Sequence, residues 1–427
     1  MTKEISRRIK GEIKIEREDI ENILEWKEEI QKSEKETITQ VCEKILEGVV
    51  SLNVSDLHFE PKQFDVLMRA RIDGLLYEIF SFSKDIYKDI SARLKLASGV
   101  KINITDRPQE GRFTIKLKER EIEVRTSCLP AEWGETLVLR FLDPKNIRNI
   151  SELGLREDLL DLIKREIRRP HGMIIVTGPA GVGKTTSLYA FLMELKKPEI
   201  KIITIENPIE YHLPGIIQTQ VDPKKNYDFV NGLKYILRQD PDIILIGEIR
   251  DKETADLALQ AALTGHLVFT TLHTKDATQS VSRLLSLGCK PFNVAPALKV
   301  VIGQRLVRKV CQFCAEYVEP QKEIKEKIEA QLKNLPKKVK IPKEFKIPKA
   351  KGCPKCNFVG YKGRTGVFEV FLVDEEIEGM ILSFTSSSAL RKKAIEKGMT
   401  TMLQDGLIKV LNKITTLEEV ESVVELL

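Results

Sequence analysis

Nothing in the 427-residue chain approaches the run of about 20 apolar residues that a membrane-spanning helix needs. The start, Met1-Thr-Lys-Glu-Ile-Ser-Arg-Arg, also lacks the apolar core of a signal peptide. Both absences predict a cytosolic protein, a compartment where disulfides do not persist, so seven cysteines require another use. Aromatic residues make up 6 % and the net charge is only +6, which argues against the basic, aromatic-lined groove of a nucleic-acid binder. No internal repeat is present. Charge itself is abundant at 31 % and rich in Lys and Glu, a composition that suits a thermophile. The length is sufficient for two or three domains with a sizeable core.

Three regions follow from pattern. Residues 1–38 are highly charged with apolar positions at helical spacing (Ile20, Ile23, Leu24, Ile30), predicting one or two short amphipathic helices. Residues 39–143 predict a small α+β domain: a helix over 41–52, then short strands at 57–60, 65–72, 112–117 and 122–126, with Asp73-Gly74 as a turn. From 144 to 427 strands near 173–177, 201–206, 242–247 and 267–272 alternate with helical segments, which predicts a parallel sheet covered on both faces. Within it, 320–350 is Lys/Glu/Pro-rich and reads as a solvated insert, and 385–427 reads as helical.

Residues 178–185, Gly-Pro-Ala-Gly-Val-Gly-Lys-Thr, form a complete G-x-x-x-x-G-K-[ST] phosphate loop. It lies where its mechanism needs it, between the apolar run 173–177 and a helical segment beginning at Thr186. Glycine lets the backbone N–H groups and the helix N-terminus converge on phosphate. The nucleotide-binding set is therefore Gly178, Pro179, Ala180, Gly181, Val182, Gly183, Lys184, Thr185 and Thr186, with Lys184 neutralising phosphate charge and the Thr185 hydroxyl as a magnesium ligand. A second apolar run, 242–247, ends in Glu248. In phosphate-loop enzymes such a strand is expected beside the phosphate-loop strand, where its acidic end reaches the metal or the attacking water. Gly247 occupies the position where a metal-binding Asp is usual, so Glu248 is the candidate for polarising water. A bland reading, an acid that ends a strand or caps a helix, weakens once the loop is counted.

Cys311-Gln-Phe-Cys314 and Cys353-Pro-Lys-Cys356 are two C-x-x-C pairs. Four thiolates in two such pairs suit a closed, structural zinc site; a redox pair is the competing reading. Cys42, Cys128 and Cys289 read as small buried residues.

Further segments carry a resemblance. Thr204-Ile-Glu-Asn-Pro-Ile-Glu210 is similar to an acidic box, Thr264-Gly-His-Leu-Val-Phe-Thr-Thr-Leu-His273 to a paired-histidine box, and Leu237-Arg-Gln-Asp-Pro-Asp242 to the segment preceding an acidic strand. With the phosphate loop and Gly247-Glu248, these resemble the hexameric ATPases that drive type II secretion and assemble type IV pili, over about residues 39–427. The resemblance implies an α/β fold: a RecA-like phosphate-loop ATPase domain, a smaller α+β (PAS-like) N-terminal domain and a tetracysteine zinc insert spanning 305–365. It implies that Glu206 and Glu210 hold metal-bound water or assist the base, with Asn207 standing where Asp is common. It places His273 near the γ-phosphate and leaves His266 structural.

Arg69 and Arg71 alternate along one predicted strand and so leave the same face, which by itself reads as a solvated sheet surface. By resemblance they swing onto the nucleotide and make the smaller domain a lid. Arg107 and Arg112 lie in a shaped turn, Arg305 reads as touching a neighbouring site or subunit boundary, and Arg364 is evenly balanced between structural and functional roles.

The reading implied is a magnesium-dependent ATPase motor that uses ATP, Mg²⁺ and structural Zn²⁺. It would work as a ring of six at the cytoplasmic face of the inner membrane, driving pseudopilus or pilus assembly through a membrane platform protein without direct nucleic-acid contact. The cysteine quartet favours secretion and pilus extension over retraction. Residues 1–38 are shorter than the docking domain of larger family members, which predicts a compact system or a trimmed chain. Two other classes compete: a zinc-containing, DNA-stimulated ATPase, and a nucleotide-gated scaffold that does not hydrolyse.

Overall fold

A computed structural model describes residues 11–342 and 344–424. The start of the charged N-terminal segment and the last three residues lie outside the described residues.

The chain divides into two compact units, and the division is not contiguous. The first comprises residues up to Asn146 together with Cys311–Cys314 and Lys351–Lys362; the second comprises Ile147–Val310, Ala315–Ala350 and Gly363–Leu427. Both cysteine pairs therefore group with the N-terminal residues.

In the first unit a seven-stranded sheet runs in the order β1-β5-β6-β7-β2-β3-β4, where β1 is Glu12–Lys14, β2 Asp56–Pro61, β3 Asp65–Ile72, β4 Leu75–Ser83, β5 Gln109–Lys116, β6 Glu121–Ala131 and β7 Gly134–Leu142. Every neighbouring pair is antiparallel except β1–β5. Asp73 (φ 48°) and Gly74 (φ 91°) form the two-residue turn between β3 and β4, the backbone that matches strand twist. Helices α1 (Ile23–Ser33), α2 (Ile38–Ser51) and α3 (Lys84–Ala97) share one apolar core with the sheet through Trp26, Ile30, Ile45, Val49, Phe59 and Leu94. The charged N-terminal segment is thus part of this core, and Leu24 is the member of its apolar set that faces solvent. Trp26 is completely buried because Gly48 leaves it room: a Cβ there would stand 2.0 Å from the indole nitrogen.

The opposite sheet face is polar. Register brings Arg112, Arg125, Arg140, Asp56 and Arg71 into one row across five adjacent strands, because residues paired across strands project to the same side.

The second unit is built on a sheet ordered β10-β9-β11-β12-β8-β13-β16, with β8 Gly172–Thr177, β9 Ile202–Glu206, β10 Ile217–Gln220, β11 Ile243–Ile246, β12 Leu267–Leu272, β13 Leu298–Val310 and β16 Tyr361–Leu372. The strands from β10 to β13 are parallel. Two separate apolar clusters, one containing Met173 and Ile244 and the other Ile174 and Leu245, cover its two faces, as continuous apolar strands require. One expectation is corrected. The acidic strand β11 does not adjoin the phosphate-loop strand β8; β12 lies between them and hydrogen-bonds to both.

The Lys-rich stretch also departs from the expected solvated insert. It contains an 11-residue helix, Lys322–Leu332, and strand β15 (Ile347–Lys349), which pairs with β14 (Glu316–Val318) just before the stretch. Its few apolar residues, Ile328, Leu332 and Ile347, pack with Leu403, Leu407 and Leu411 of the C-terminal helix Met402–Leu411. No described helix is long and apolar enough to cross a membrane.

Candidate nucleotide-binding and metal sites

Between β8 and the helix Lys184–Leu195 the chain makes a tight loop in which Gly178, Gly181 and Gly183 all have positive φ, at 153°, 78° and 84°. Side chains would strain each of these positions. Pro179, Ala180 and Gly181 form the exposed tip, Val182 is buried, and Thr185 and Thr186 open the helix. Lys184 folds back over the loop, donating from Nζ to the carbonyls of Gly178 (2.8 Å) and Pro179 (2.9 Å). Burial pushes this ammonium down to about 8, against the opposing pull of Glu248.

A cleft of about 180 Å³ lies beside the loop, lined by Lys184, Thr185, Glu206, Glu210, Glu248 and His273 among others. It collects the ends of β9, β11 and β12, the carboxyl edge where open parallel sheets bind ligands. Glu248 is mostly buried; its Oε1 lies 2.6 Å from Arg250 Nη2 and its Oε2 3.7 Å from His273 Nε2. His273 is lowered from the usual imidazole range by burial and by the nearby Lys184 charge. His266 sits at the other end of β12, with Nδ1 3.1 Å from the Ala261 carbonyl.

The two glutamates of the acidic box differ in environment. Glu206 ends β9 and is buried, taking hydrogen bonds from Thr204 Oγ1 (2.6 Å), Gln218 Nε2 (3.2 Å) and the Tyr189 hydroxyl. Burial raises its carboxyl above the ordinary range despite these donors. Glu210 follows the cis Asn207–Pro208 bond, and its amide donates to Tyr189 Oη at 3.3 Å. Tyr189 therefore ties the two together, a link invisible in the motif because it comes from the phosphate-loop helix. Arg250 was equally hidden, two residues beyond the acidic strand's carboxylate.

Arg69, Arg71, Arg140, Arg107 and Arg305 each have a named neighbour. Arg69 pairs with Glu60, while Arg71 donates to the Gly74 carbonyl at 2.8 Å and lies 3.6 Å from Asp56. Arg140 Nε donates to the same Asp56 at 2.8 Å. Arg107 is exposed beside Asp106. Arg305 donates to the carbonyls of Lys275 (2.7 Å) and Gln304 (2.9 Å). Arg112 stands in the row described above, which pairing register reveals and motif spacing does not.

In the first unit the four sulfurs of Cys311, Cys314, Cys353 and Cys356 lie within 4.8 Å of one another. Three of the separations are 3.8–3.9 Å. Tetrahedral Zn²⁺ with bonds near 2.3 Å sets sulfurs about 3.8 Å apart, whereas a disulfide sets them at about 2.0 Å. Backbone N–H groups point at the sulfurs as they would at thiolates: Gly352 N to Cys314 (3.3 Å), and Cys353 N and Gly360 N to Cys356 (3.2 and 3.3 Å). Burial would raise the Cys356 thiol, but these donors bring it down to about 7. The donor set fits zinc.

Comparison with known proteins agrees with this geometry. The family model for type II/IV secretion system proteins matches residues 31–422. The chain is 40 % identical over 384 residues to type II secretion system ATPase E of Vibrio cholerae, covering 90 % of this chain and 74 % of that protein. It is 40 % identical over 372 residues to type IV pilus assembly ATPase PilB of Thermus thermophilus, covering 86 % and 41 %. In fold it is similar to the ATPase DotB of Legionella pneumophila, with TM-score 0.64 and 21 % identity over 89 % of this chain and 94 % of that one. It is also similar to the pilus retraction motor PilT, solved with ADP, with TM-score 0.60 and 24 % identity over 90 % and 96 %. The parallel sheet of the second unit is thus an ATPase fold, and the chain belongs to the type II/IV secretion system protein family as an ATP-hydrolysing member.

Proposed function

We propose that this chain is the Mg²⁺-dependent motor of a type II secretion or type IV pilus assembly system, working as a ring of six on a platform protein at the cytoplasmic face of the inner membrane. The observation that supports it best is the convergence of Lys184, Thr185, Glu206, Glu248 and His273 on one cleft beside the phosphate loop. Loop N–H groups and Lys184 hold the triphosphate. The Thr185 hydroxyl would hold Mg²⁺, which would supply neutralisation of phosphate charge. Glu248 accepts a proton from water as the water oxygen bonds to the γ-phosphorus; the bond to the ADP oxygen breaks, and phosphate leaves. His273, held beside Glu248, reports whether a γ-phosphate is in place. Glu206, fixed by three donors, orients the water shell together with Glu210.

The first unit is assigned as the PAS-like lid. For Arg69 and Arg71 to stabilise transition-state charge they must exchange Glu60 and the Gly74 carbonyl for phosphate oxygens. That exchange is the step by which nucleotide would move the lid. The zinc is structural, since four cysteines leave no open coordination position.

The test is single-site hydrolysis by the full chain. Glu248→Gln keeps the shape of the site and removes the proton acceptor, so kcat should fall about 10²–10⁴-fold while ATP still binds. Unchanged turnover would overturn the assignment of Glu248. Capture of membrane partners by the same ATP-holding variant then tests the motor role: a polytopic membrane protein with pilin-like subunits supports it, and soluble partners alone refute it.

A further inference from the structure

We infer that Gln304 is a positioning residue for nucleotide, a clamp that holds the phosphate loop in its binding-competent shape from the neighbouring strand. Gln304 lies on β13, which pairs with the phosphate-loop strand β8, and its side chain is 2 % exposed. Both ends of its amide are used. Nε2 donates to the Val182 carbonyl inside the loop at 2.8 Å, and Oε1 accepts from the Ser187 hydroxyl in the following helix at 2.8 Å. One side chain therefore bridges the loop and the helix whose N-terminus the phosphates meet.

One loop glycine records the same contact: a Cβ on Gly183 would stand 3.1 Å from Gln304 Nε2, while one on Gly178 would stand 2.6 Å from the main-chain carbonyl oxygen of Gln304. Gly181, by contrast, has nothing within 4 Å of a Cβ. Gly183 thus sits tightly against the Gln304 amide, and Gly178 against the main chain of the same residue, in addition to their positive φ. The next residue, Arg305, donates to the Lys275 carbonyl, so the same strand also holds the segment that follows His273.

Preorganisation acts on affinity. A loop that adopts the binding shape only part of the time binds with its intrinsic Kd divided by that fraction, while chemistry in the bound complex is little changed. This inference rests on the nucleotide-site reading above, and its test separates the two. Fluorescent N-methylanthraniloyl-ATP is titrated into the full chain, and steady-state hydrolysis is followed in parallel, for wild type, Gln304→Met and Gln304→Glu. Methionine fills the space without the hydrogen bonds, so Kd and KM should rise about tenfold with kcat changed by less than about threefold. Glutamate is deficient while ionised, because a carboxylate oxygen then faces the Val182 carbonyl oxygen with no proton between them. Once protonated it can donate to Val182 and accept from Ser187 as glutamine does. Its affinity should therefore recover relative to wild type as pH falls, while the methionine variant shows no such recovery. A Kd equal to wild type in both variants overturns the inference, as does a loss confined to kcat. If the methionine variant does not fold, the pH titration of Gln304→Glu decides alone: recovery supports the clamp, and a pH-independent affinity ratio refutes it. Failure of the wild type to bind would sink the nucleotide-site reading instead.

Discussion

Lys184 offers a prediction in which the structure supplies the magnitude. Its ammonium is buried under the phosphate loop and held down to about 8, so in the nucleotide-free chain it carries its charge below that pH and loses it above. A bound triphosphate favours the charged form and lifts the pKa well past 8. Nucleotide affinity is therefore fully present below about pH 8 and lost as pH rises through it. The dissociation constant scales as one plus the ratio of neutral to charged lysine, which gives about a twofold loss at pH 8 and about tenfold at pH 9 relative to pH 7. The range above pH 8 is clean because the phosphate's own last ionisation, near 6, is already complete. Isothermal titration in two buffers of different ionisation enthalpy reads the coupled proton directly. About half a proton should be taken up per nucleotide at pH 8 and about 0.9 at pH 9. A flat Kd between pH 7 and 9, or proton release instead of uptake, would refute the reasoning and show Lys184 charged throughout.

Two further outcomes follow from charge and sulfur chemistry. Metal removal by a strong chelator should release one zinc per chain and expose four thiols to a disulfide reagent, while buried Cys42, Cys128 and Cys289 stay slow; fast reaction of the quartet before chelation would contradict a metal-bound cluster. Asp405 is fully buried, with Arg156 Nη1 at 2.6 Å and Lys409 Nζ at 2.7 Å, and it accepts from the Phe368 amide. Asp405→Ala leaves the buried Lys409 ammonium and the Phe368 amide unpaired and Arg156 with Asp158 and Thr400 only, so denaturant unfolding of the second unit should show about 3–5 kcal/mol lost; a loss under about 1 kcal/mol would mean that the cluster is held otherwise.

What could be read in the sequence was what contiguous residues determine. The phosphate loop is such a feature: an apolar strand, glycines at the positions of positive φ, and a helix that opens on Lys184. The alternating strands and helices of the second unit likewise gave its parallel sheet. The order of strands was less accessible. That β12 separates β11 from β8 depends on which apolar runs pair, and all of these runs are equally apolar. Side-chain partners from elsewhere in the chain were hidden for the same reason. Tyr189 reaches Glu206 from the phosphate-loop helix, and Gln304 reaches Val182 across 122 positions. In the Lys-rich stretch a few apolar residues among many lysines gave no periodic signal, although Ile328, Leu332 and Ile347 are enough to seat it. The arginine row illustrates the general case, because its members come from separate strands and only the pairing register aligns them.

The discontinuous first unit has a consequence for synthesis. Its cysteine-bearing segments emerge from the ribosome long after Asn146, the last of them roughly 200 residues later, or about 10–40 s at ~5–20 residues per second. For that interval the N-terminal sheet has all its strands but the unit lacks its later segments, with the amide of Ile23 still awaiting the Asn357 side chain that accepts from it at 2.8 Å. The four-cysteine cluster can close only when Cys353 and Cys356 appear, so under the proposed zinc reading metal uptake would be the last event in completing the unit that begins the chain. A nascent chain halted before Lys351 would present two thiols of the quartet, Cys311 and Cys314, and an incomplete first unit to the cell. The oldest part of the polypeptide is thereby completed by some of its younger residues.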